Sequence, residues 1–255
     1  MKNNRIIWIS GASTGIGRAT SIKFANEGWT VVATSRNMDN LRILKNEIDN
    51  RFGSKKISIF GCDIRKKEQV EKTVINIEKN IGEISIALLN AGTAGPYSNE
   101  FKVDNYNYVI ETNIIGNLNC INTIYKIFKK RQKGHISIVS SMVGYRGFPI
   151  ASAYTMSKAA LINLAESLYF DFRKTGIRVS IINPGFIKTP LTIKNIFPMP
   201  FLKSSEYAAE NIYEGLVNSN KFELIFPPQW FFIMKILRLL PYKIYFFLMS
   251  RFSGL

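Results

Sequence analysis

Short apolar runs alternate with longer amphipathic stretches along most of the chain. Ile6 to Ser10, Thr30 to Ser35, Lys56 to Gly61, Ile84 to Leu89, Gly134 to Ser140, Ile177 to Asn183 and Phe222 to Phe226 are brief and rich in Ile, Val and Leu. Continuous apolar runs of this length are what strands buried on both faces require. Between them, Arg18 to Glu27, Met38 to Phe52, Lys66 to Ile81, Asn105 to Lys130, Ser152 to Thr175 and Ser204 to Asn218 place apolar residues near i, i+3, i+4 and i+7. That is the period of a helix with one buried face. Strands separated by helices run parallel, so the pattern predicts one α/β domain built on a doubly wound parallel sheet of about seven strands.

Two segments break the rhythm. From Thr189 to Lys203 the chain is an apolar loop punctuated by Pro190, Pro198 and Pro200, at the carboxyl end of a parallel strand. A lid over a site is expected there. After Pro227-Pro228 come two apolar stretches, Gln229 to Leu240 and Tyr242 to Phe252, separated by Pro241. Residues 1–228 therefore read as the main domain, and 229–255 as a hydrophobic, basic helical extension.

Composition narrows the class. A chain of 255 residues, 46% hydrophobic and 20% charged, can bury one continuous core and is neither disordered nor fibrous. Cys62 and Cys120 are too few for a disulfide framework, and His135 stands alone, too little for a zinc site. Metal-free chemistry in a reducing, cytoplasmic setting is the expectation. Met1 to Arg5 leads directly into Ile6 to Ile9, too short an apolar run for a signal peptide. The unusual quantity is charge, 34 Lys+Arg against 18 Asp+Glu, a formal +16. Nucleic acid, an anionic membrane, a phosphate-bearing ligand or plain solvated lysines would each account for it. No recognition motif accompanies the charge, which sets nucleic acid aside.

The first strand ends in Gly11-Ala12-Ser13-Thr14-Gly15-Ile16-Gly17 and a helix follows. Glycines at such a turn let the backbone approach a pyrophosphate, and the free N–H groups at the helix start attract it. An NAD site usually has a carboxylate about twenty residues further on to hold the ribose hydroxyl. Here the second strand ends Thr34-Ser35-Arg36-Asn37 instead. Arg36 can pair bidentately with a 2′-phosphate and Ser35 adds a hydroxyl, so NADP(H) is the expected cofactor.

Further motifs follow in order. Asn90-Ala91-Gly92 closes the fourth strand, Asn113 lies in the next helix, and Ser140-Ser141 ends the fifth strand. Tyr154-Thr155-Met156-Ser157-Lys158 opens the following helix, thirteen residues beyond Ser141, and Asn183-Pro184-Gly185 ends the sixth strand with Thr189 shortly after. From residue 5 to about 226 this set resembles the short-chain dehydrogenases/reductases, and the resemblance implies a Rossmann fold and a Tyr-x-x-x-Lys active site.

Such chemistry moves a hydride between the nicotinamide and a carbonyl or alcohol carbon, while a proton moves at the substrate oxygen. An ordinary tyrosine pKa of about 10 is too high for that near neutrality. Lys158, four residues beyond Tyr154, shares its helix face and would depress it. The resemblance further implies that Lys158 bonds the nicotinamide ribose, that Ser141 holds the substrate oxygen, and that Asn113 bends its helix and holds a water leading to Lys158. It assigns the cofactor to Gly11, Ser13, Thr14, Gly15, Ile16, Gly17, Ser35, Arg36, Asp63, Ile64, Asn90, Ala91 and Gly92, to Tyr154 and Lys158, and to Pro184, Gly185, Ile187 and Thr189. Asp63 matches the position that meets the adenine amine. Ser140 and Ser157 lack the thirteen-residue spacing.

The chain departs from the branch that reduces acyl-carrier-protein substrates, which ends in an Asp-Gly-Gly turn where this one has Pro227-Pro228. Lys235, Arg238, Lys243 and Arg251 interrupt the tail well short of the roughly 18 apolar residues of a spanning helix. Two readings of the tail stay open. It is an interfacial anchor on an anionic leaflet, or it packs on the body as a subunit interface or a wall of an apolar pocket. Both point to a hydrophobic, lipid-like substrate and a place in lipid metabolism. The expected protein is an NADP(H)-dependent oxidoreductase, cytoplasmic or peripherally held at the inner face of a membrane, and a homodimer or homotetramer by resemblance. A catalytically inactive NADP-binding sensor or membrane-associated scaffold is the alternative.

Overall fold

The computed structural model describes residues 5–95, 100–193 and 198–253, with the side chains of residues 252 and 253 left aside. Seven strands form one parallel sheet: β1 Ile6–Ser10, β2 Thr30–Ser35, β3 Ile57–Gly61, β4 Ile84–Leu89, β5 Gly134–Val139, β6 Ile177–Pro184 and β7 Glu223–Phe226. Their spatial order is β3-β2-β1-β4-β5-β6-β7. The chain winds outward from β1 in one direction, then returns and winds in the other. That reversal opens a crevice at the carboxyl ends of β1 and β4, where ligands of such sheets bind.

Alternate side chains of each strand feed two cores. Ile7 and Ile9 face a layer made by α1 Gly15–Asn26, α2 Met38–Phe52 and α7 Ser205–Val217. Ile6 and Trp8 face a layer made by α3 Lys67–Asn80, α5 Gly116–Arg131 and α6 Ser152–Asp171. Burial on both faces is why the strands carry unbroken apolar runs. At the amino ends of β5 and β6 a buried polar ladder runs from His135 Nε2 to Ser180 Oγ at 2.8 Å and on to Ser137 Oγ at 3.0 Å. Burial pushes the His135 pKa down to about 3, leaving a neutral ring far from the crevice.

The strands match the sequence pattern to within a residue at most ends, and the helices differ instructively. Helix α1 starts at Gly15, inside the glycine turn, so the turn itself presents the first N–H groups. The single helix expected over Asn105 to Lys130 is α4 Val103–Ile110, a π-helical turn Glu111–Ile115, and α5. One inserted residue leaves the apolar period nearly intact, so periodicity cannot reveal it. Helix α6 stops at Asp171, short of Thr175, because the chain turns there toward Gly176 at φ +70°.

The tail forms α8 Pro228–Leu239 and α9 Tyr242–Ser253. Trp230 and Met234 of α8 are buried and join the core of α3, α5 and α6. Among the described residues, no helix is long and apolar enough to cross a membrane.

Candidate active site

A cleft of about 610 Å³ opens along the carboxyl ends of the strands, a size ordinary for a small-molecule or cofactor site. Its floor is the glycine turn after β1. Gly11 has φ +67°, and a Cβ there would lie 2.7 Å from Ala91 Cα. A Cβ on Gly17 would lie 2.4 Å from the Gly11 carbonyl oxygen. The turn is locked to β4 from the side: Asn90 Nδ2 donates to the carbonyls of Ser10 and Gly11 at 3.1 and 3.0 Å, and the Ser10 hydroxyl accepts from the amides of Asn90 and Ala91, each at 3.1 Å. The glycines let the turn pack directly on the start of the segment after β4 and on itself, while Gly11, Ser13, Thr14, Gly15 and Ile16 line the cleft at a helix N-terminus, where backbone N–H groups suit a phosphate. The residues fit a dinucleotide.

The end of β2 borders the cradle. Ser35 Oγ donates to Ser13 Oγ at 2.9 Å, joining two residues expected at the cofactor. Ser13, Ser35 and Arg36 also line a second recess with Asn37, Met38 and Asp39 at the start of α2. Arg36 makes no ion pair among the described residues. Asp63 is half committed already: its carboxylate accepts from Arg65 at 2.6 to 3.1 Å, and that hydrogen bonding holds its pKa below the usual carboxylate value.

The catalytic end lies between β5 and α6. Lys158 is 4% exposed, with Nζ donating to the Val139 carbonyl at 2.9 Å and lying 5.5 Å from the centroid of the Tyr154 ring. Burial lowers its pKa to about 8, so near neutrality most of it stays protonated. Ser140 Oγ donates to the Lys158 carbonyl at 2.7 Å and ties strand to helix. Ser141 is held loosely by comparison, its hydroxyl 3.5 Å from the Pro184 carbonyl. Such a group can turn to a ligand at little cost.

Asn113 is fully buried in the π-helical turn, behind the cleft wall. Its amide donates to the Thr93 carbonyl and to Ser157 Oγ, both at 2.9 Å, while its Oδ1 accepts from Thr93 N–H at 2.8 Å. It thus braces the loop after β4 against α6, and a Cβ on Gly92 would lie 3.2 Å from its Oδ1 and 3.5 Å from Lys158 Nζ.

All the residues expected at the site line the cleft except Gly17, which packs beneath the turn, and Asn113, which stands behind the wall. The structure adds others. Thr112 lines the cleft with its buried hydroxyl unpartnered, Val139 anchors Lys158, and Cys62, Thr93, Ala94, Gly95, Pro190, Leu191 and Thr192 complete the wall. Adjacency to Asn113 and to Ser140 was the available signal for Thr112 and Val139. Of the expected lid, the ends are pinned: Lys188 N–H donates to the Lys203 carbonyl at 2.8 Å and Lys203 N–H to the Phe186 carbonyl at 3.0 Å. Thr189 sits over Gly15. Residues 194–197 of that segment lie outside the described residues.

The loop joining Ser141 to Tyr154 carries a feature without a motif. Arg146 donates to the carbonyls of Arg238 and Leu240 at 3.1 and 2.9 Å, closing the end of α8, and its guanidinium lies 4.6 Å from the ring centroids of both Tyr242 and Tyr245. Tyr245 returns a hydrogen bond to the Gly147 carbonyl at 2.6 Å. Trp230 lies against Gly185, whose Cβ would come 2.4 Å from the indole. The tail is packed on the segment between two expected catalytic residues.

The family model described as short chain dehydrogenase matches residues 5–196. An uncharacterized oxidoreductase of Myxococcus xanthus (strain DK1622) is 31% identical over 238 residues, covering 93% of each chain. A 3beta-hydroxysteroid dehydrogenase of Mediterraneibacter gnavus is 33% identical over 192 residues, 74% of this chain and 68% of that one. Among solved structures, ElxO with NADP bound superposes with a TM-score of 0.76 at 26% identity, over 87% of this chain and 97% of that one.

Proposed function

The chain belongs to the short-chain dehydrogenase family of oxidoreductases, and from that premise we propose that it is an NADP(H)-dependent enzyme reducing the carbonyl, or oxidising the alcohol, of a hydrophobic, lipid-like substrate. The observation that carries this reading is the one cleft that unites the glycine cradle, Arg36, Ser141, Tyr154 and Lys158. The NADP bound in ElxO and the steroid named for the Mediterraneibacter relative support the cofactor and the substrate class.

The bound nicotinamide supplies or accepts the hydride. The protein's own residues manage the rest. Tyr154 donates a proton to the substrate oxygen in reduction and takes it back in oxidation. The buried Lys158 ammonium favours the phenolate, because among the described residues it makes no ion pair and low dielectric strengthens the attraction. Ser141 donates to the same oxygen as charge develops there. Asn113 acts through Ser157 and Thr93, fixing the helix turn from which Tyr154 and Lys158 project. Arg36 and Ser35 meet the 2′-phosphate.

NADPH oxidation across a panel of ketones, steroid ketones and long-chain 3-oxo lipids tests the reading. Turnover should rise with chain length or ring count, and Tyr154→Phe should reduce it by about 10² to 10⁴, the usual worth of general acid catalysis. Tight NADPH binding with no turnover on any of these would overturn the assignment and favour a sensor.

A further inference from the structure

We propose that α8 and α9 form a docking surface for an anionic lipid bilayer, which the protein engages from one side without spanning it. Helix α8 is apolar on both faces. Trp230 and Met234 are buried in the core, while Phe232, Ile236 and Leu239, at i, i+4 and i+7 on the other side, are 64%, 61% and 84% exposed. A helix apolar all round is normally enclosed, and here half of it is not. In α9 the same division holds: Tyr245 is buried against Gly147, while Tyr242, Phe246 and Phe247 face outward. Exposed large apolar side chains gathered on two successive helices mark an interaction surface.

Charge selects the occupant. The described part of the two helices contains Lys235, Arg238, Lys243 and Arg251 and no acidic residue. Lys235 is paired with Glu223 at 3.1 Å, an ion pair turned toward the body. Arg238, Lys243 and Arg251 are exposed. Aromatic and aliphatic groups flanked by cations alone complement an anionic leaflet, where rings enter the interface and cations meet headgroups. Each helix has 12 residues, about 18 Å of rise against a hydrocarbon core of about 30 Å, so the pair lies in the interface and does not cross it.

Away from the two helices, Phe201, which meets the inner-face Trp230 edge-on at 6.0 Å, Leu202 and Leu191 are also exposed, and Leu191 lines the cleft. The inference does not rest on the reaction proposed above, since binding is read without turnover.

The test is flotation of the full chain with vesicles of phosphatidylcholine alone or with 30% phosphatidylglycerol. Thermal unfolding and NADPH binding serve as folding controls. Binding should be at least about tenfold stronger to the anionic vesicles and weaken as salt rises. Phe232→Ser with Phe246→Ser and Phe247→Ser should lose about tenfold or more, and Lys243→Glu with Arg251→Glu should do so by charge alone. If the wild-type chain ignores anionic vesicles, or binds them equally after both sets of substitutions, the proposal fails. It also fails if the phenylalanine variant dissociates an oligomer while the wild type stays off vesicles, because the face would then belong to a second copy.

Discussion

The cleft and the tail are built from opposite surpluses. In the cleft, polar groups distant in sequence satisfy one another: Asn90 with the Ser10 and Gly11 carbonyls, Ser35 with Ser13, Asn113 with Thr93 and Ser157. What remains loosely held there is polar, namely the Arg36 guanidinium, the Thr112 hydroxyl and Ser141. In the tail, one apolar face is absorbed by the core and the other is left over. The leftover chemistry of each region is what the proposals above build on, a phosphorylated polar ligand for one and an anionic bilayer for the other.

The largest effect that would sharpen this contrast lies on the inner face of the tail. Trp230 is 7% exposed and packs edge-on to Phe186 and Phe201 above Gly185. Trp230→Ala should cost about 3 kcal/mol or more, read as the shift in urea midpoint, because it leaves a large cavity between Gly185 and the rings of Phe186 and Phe201. Outer-face changes such as Phe232→Ser should stay within about 0.5 kcal/mol. Equal costs on the two faces would break the distinction between a packed and an unspent side.

The cleft carries a cost of another kind. Lys158 has a folded-state pKa of about 8 against 10.5 for the free group, lowered by burial. Below pH 8 both folded and unfolded chains hold the proton, and the folded state bears the whole penalty, on the order of 3 kcal/mol at 1.36 kcal/mol per unit. Between pH 8 and 10.5 the folded state sheds the proton first, so stability rises, and above 10.5 the penalty is gone. Lys158→Met in the absence of cofactor should therefore unfold later than wild type at pH 7, and the gap should close by pH 10.5. A gap that stays constant with pH would show that burial of this ammonium is not a burden.

How much of this was legible beforehand follows the same divide. The strands and most helices could be read from apolar period, and the cleft from glycines, Arg36 and the Tyr154–Lys158 pair, because these residues act through local spacing and chain order. A bend at Asn113 was implied by the resemblance alone, because the apolar period does not mark the π-helical turn and the groups Asn113 bonds, Thr93 and Ser157, lie 20 and 44 residues away in sequence. The seat of the tail was equally hidden. Arg146 closes α8 across 92 and 94 residues, and nothing in its own neighbourhood distinguishes it from a solvated arginine. Which face of α8 would be buried also depended on Gly185 leaving room for Trp230.

Arg36 is where the two regions are most alike, a charged group on the rim of the cleft with no ion-pair partner among the described residues. Its field already lowers the Asp63 pKa, though less than the hydrogen bond from Arg65 does. If its partner is a 2′-phosphate, Arg36→Ala should weaken NADPH binding by about tenfold, near 1.4 kcal/mol, while NADH binding changes little. The loss should shrink at high salt, because an exposed pair is screened. Fluorescence titration with the two nucleotides measures both arms. Equal losses for NADPH and NADH would place Arg36 among residues that merely shape the start of α2, and the recess beside Ser13 and Ser35 would then need another ligand.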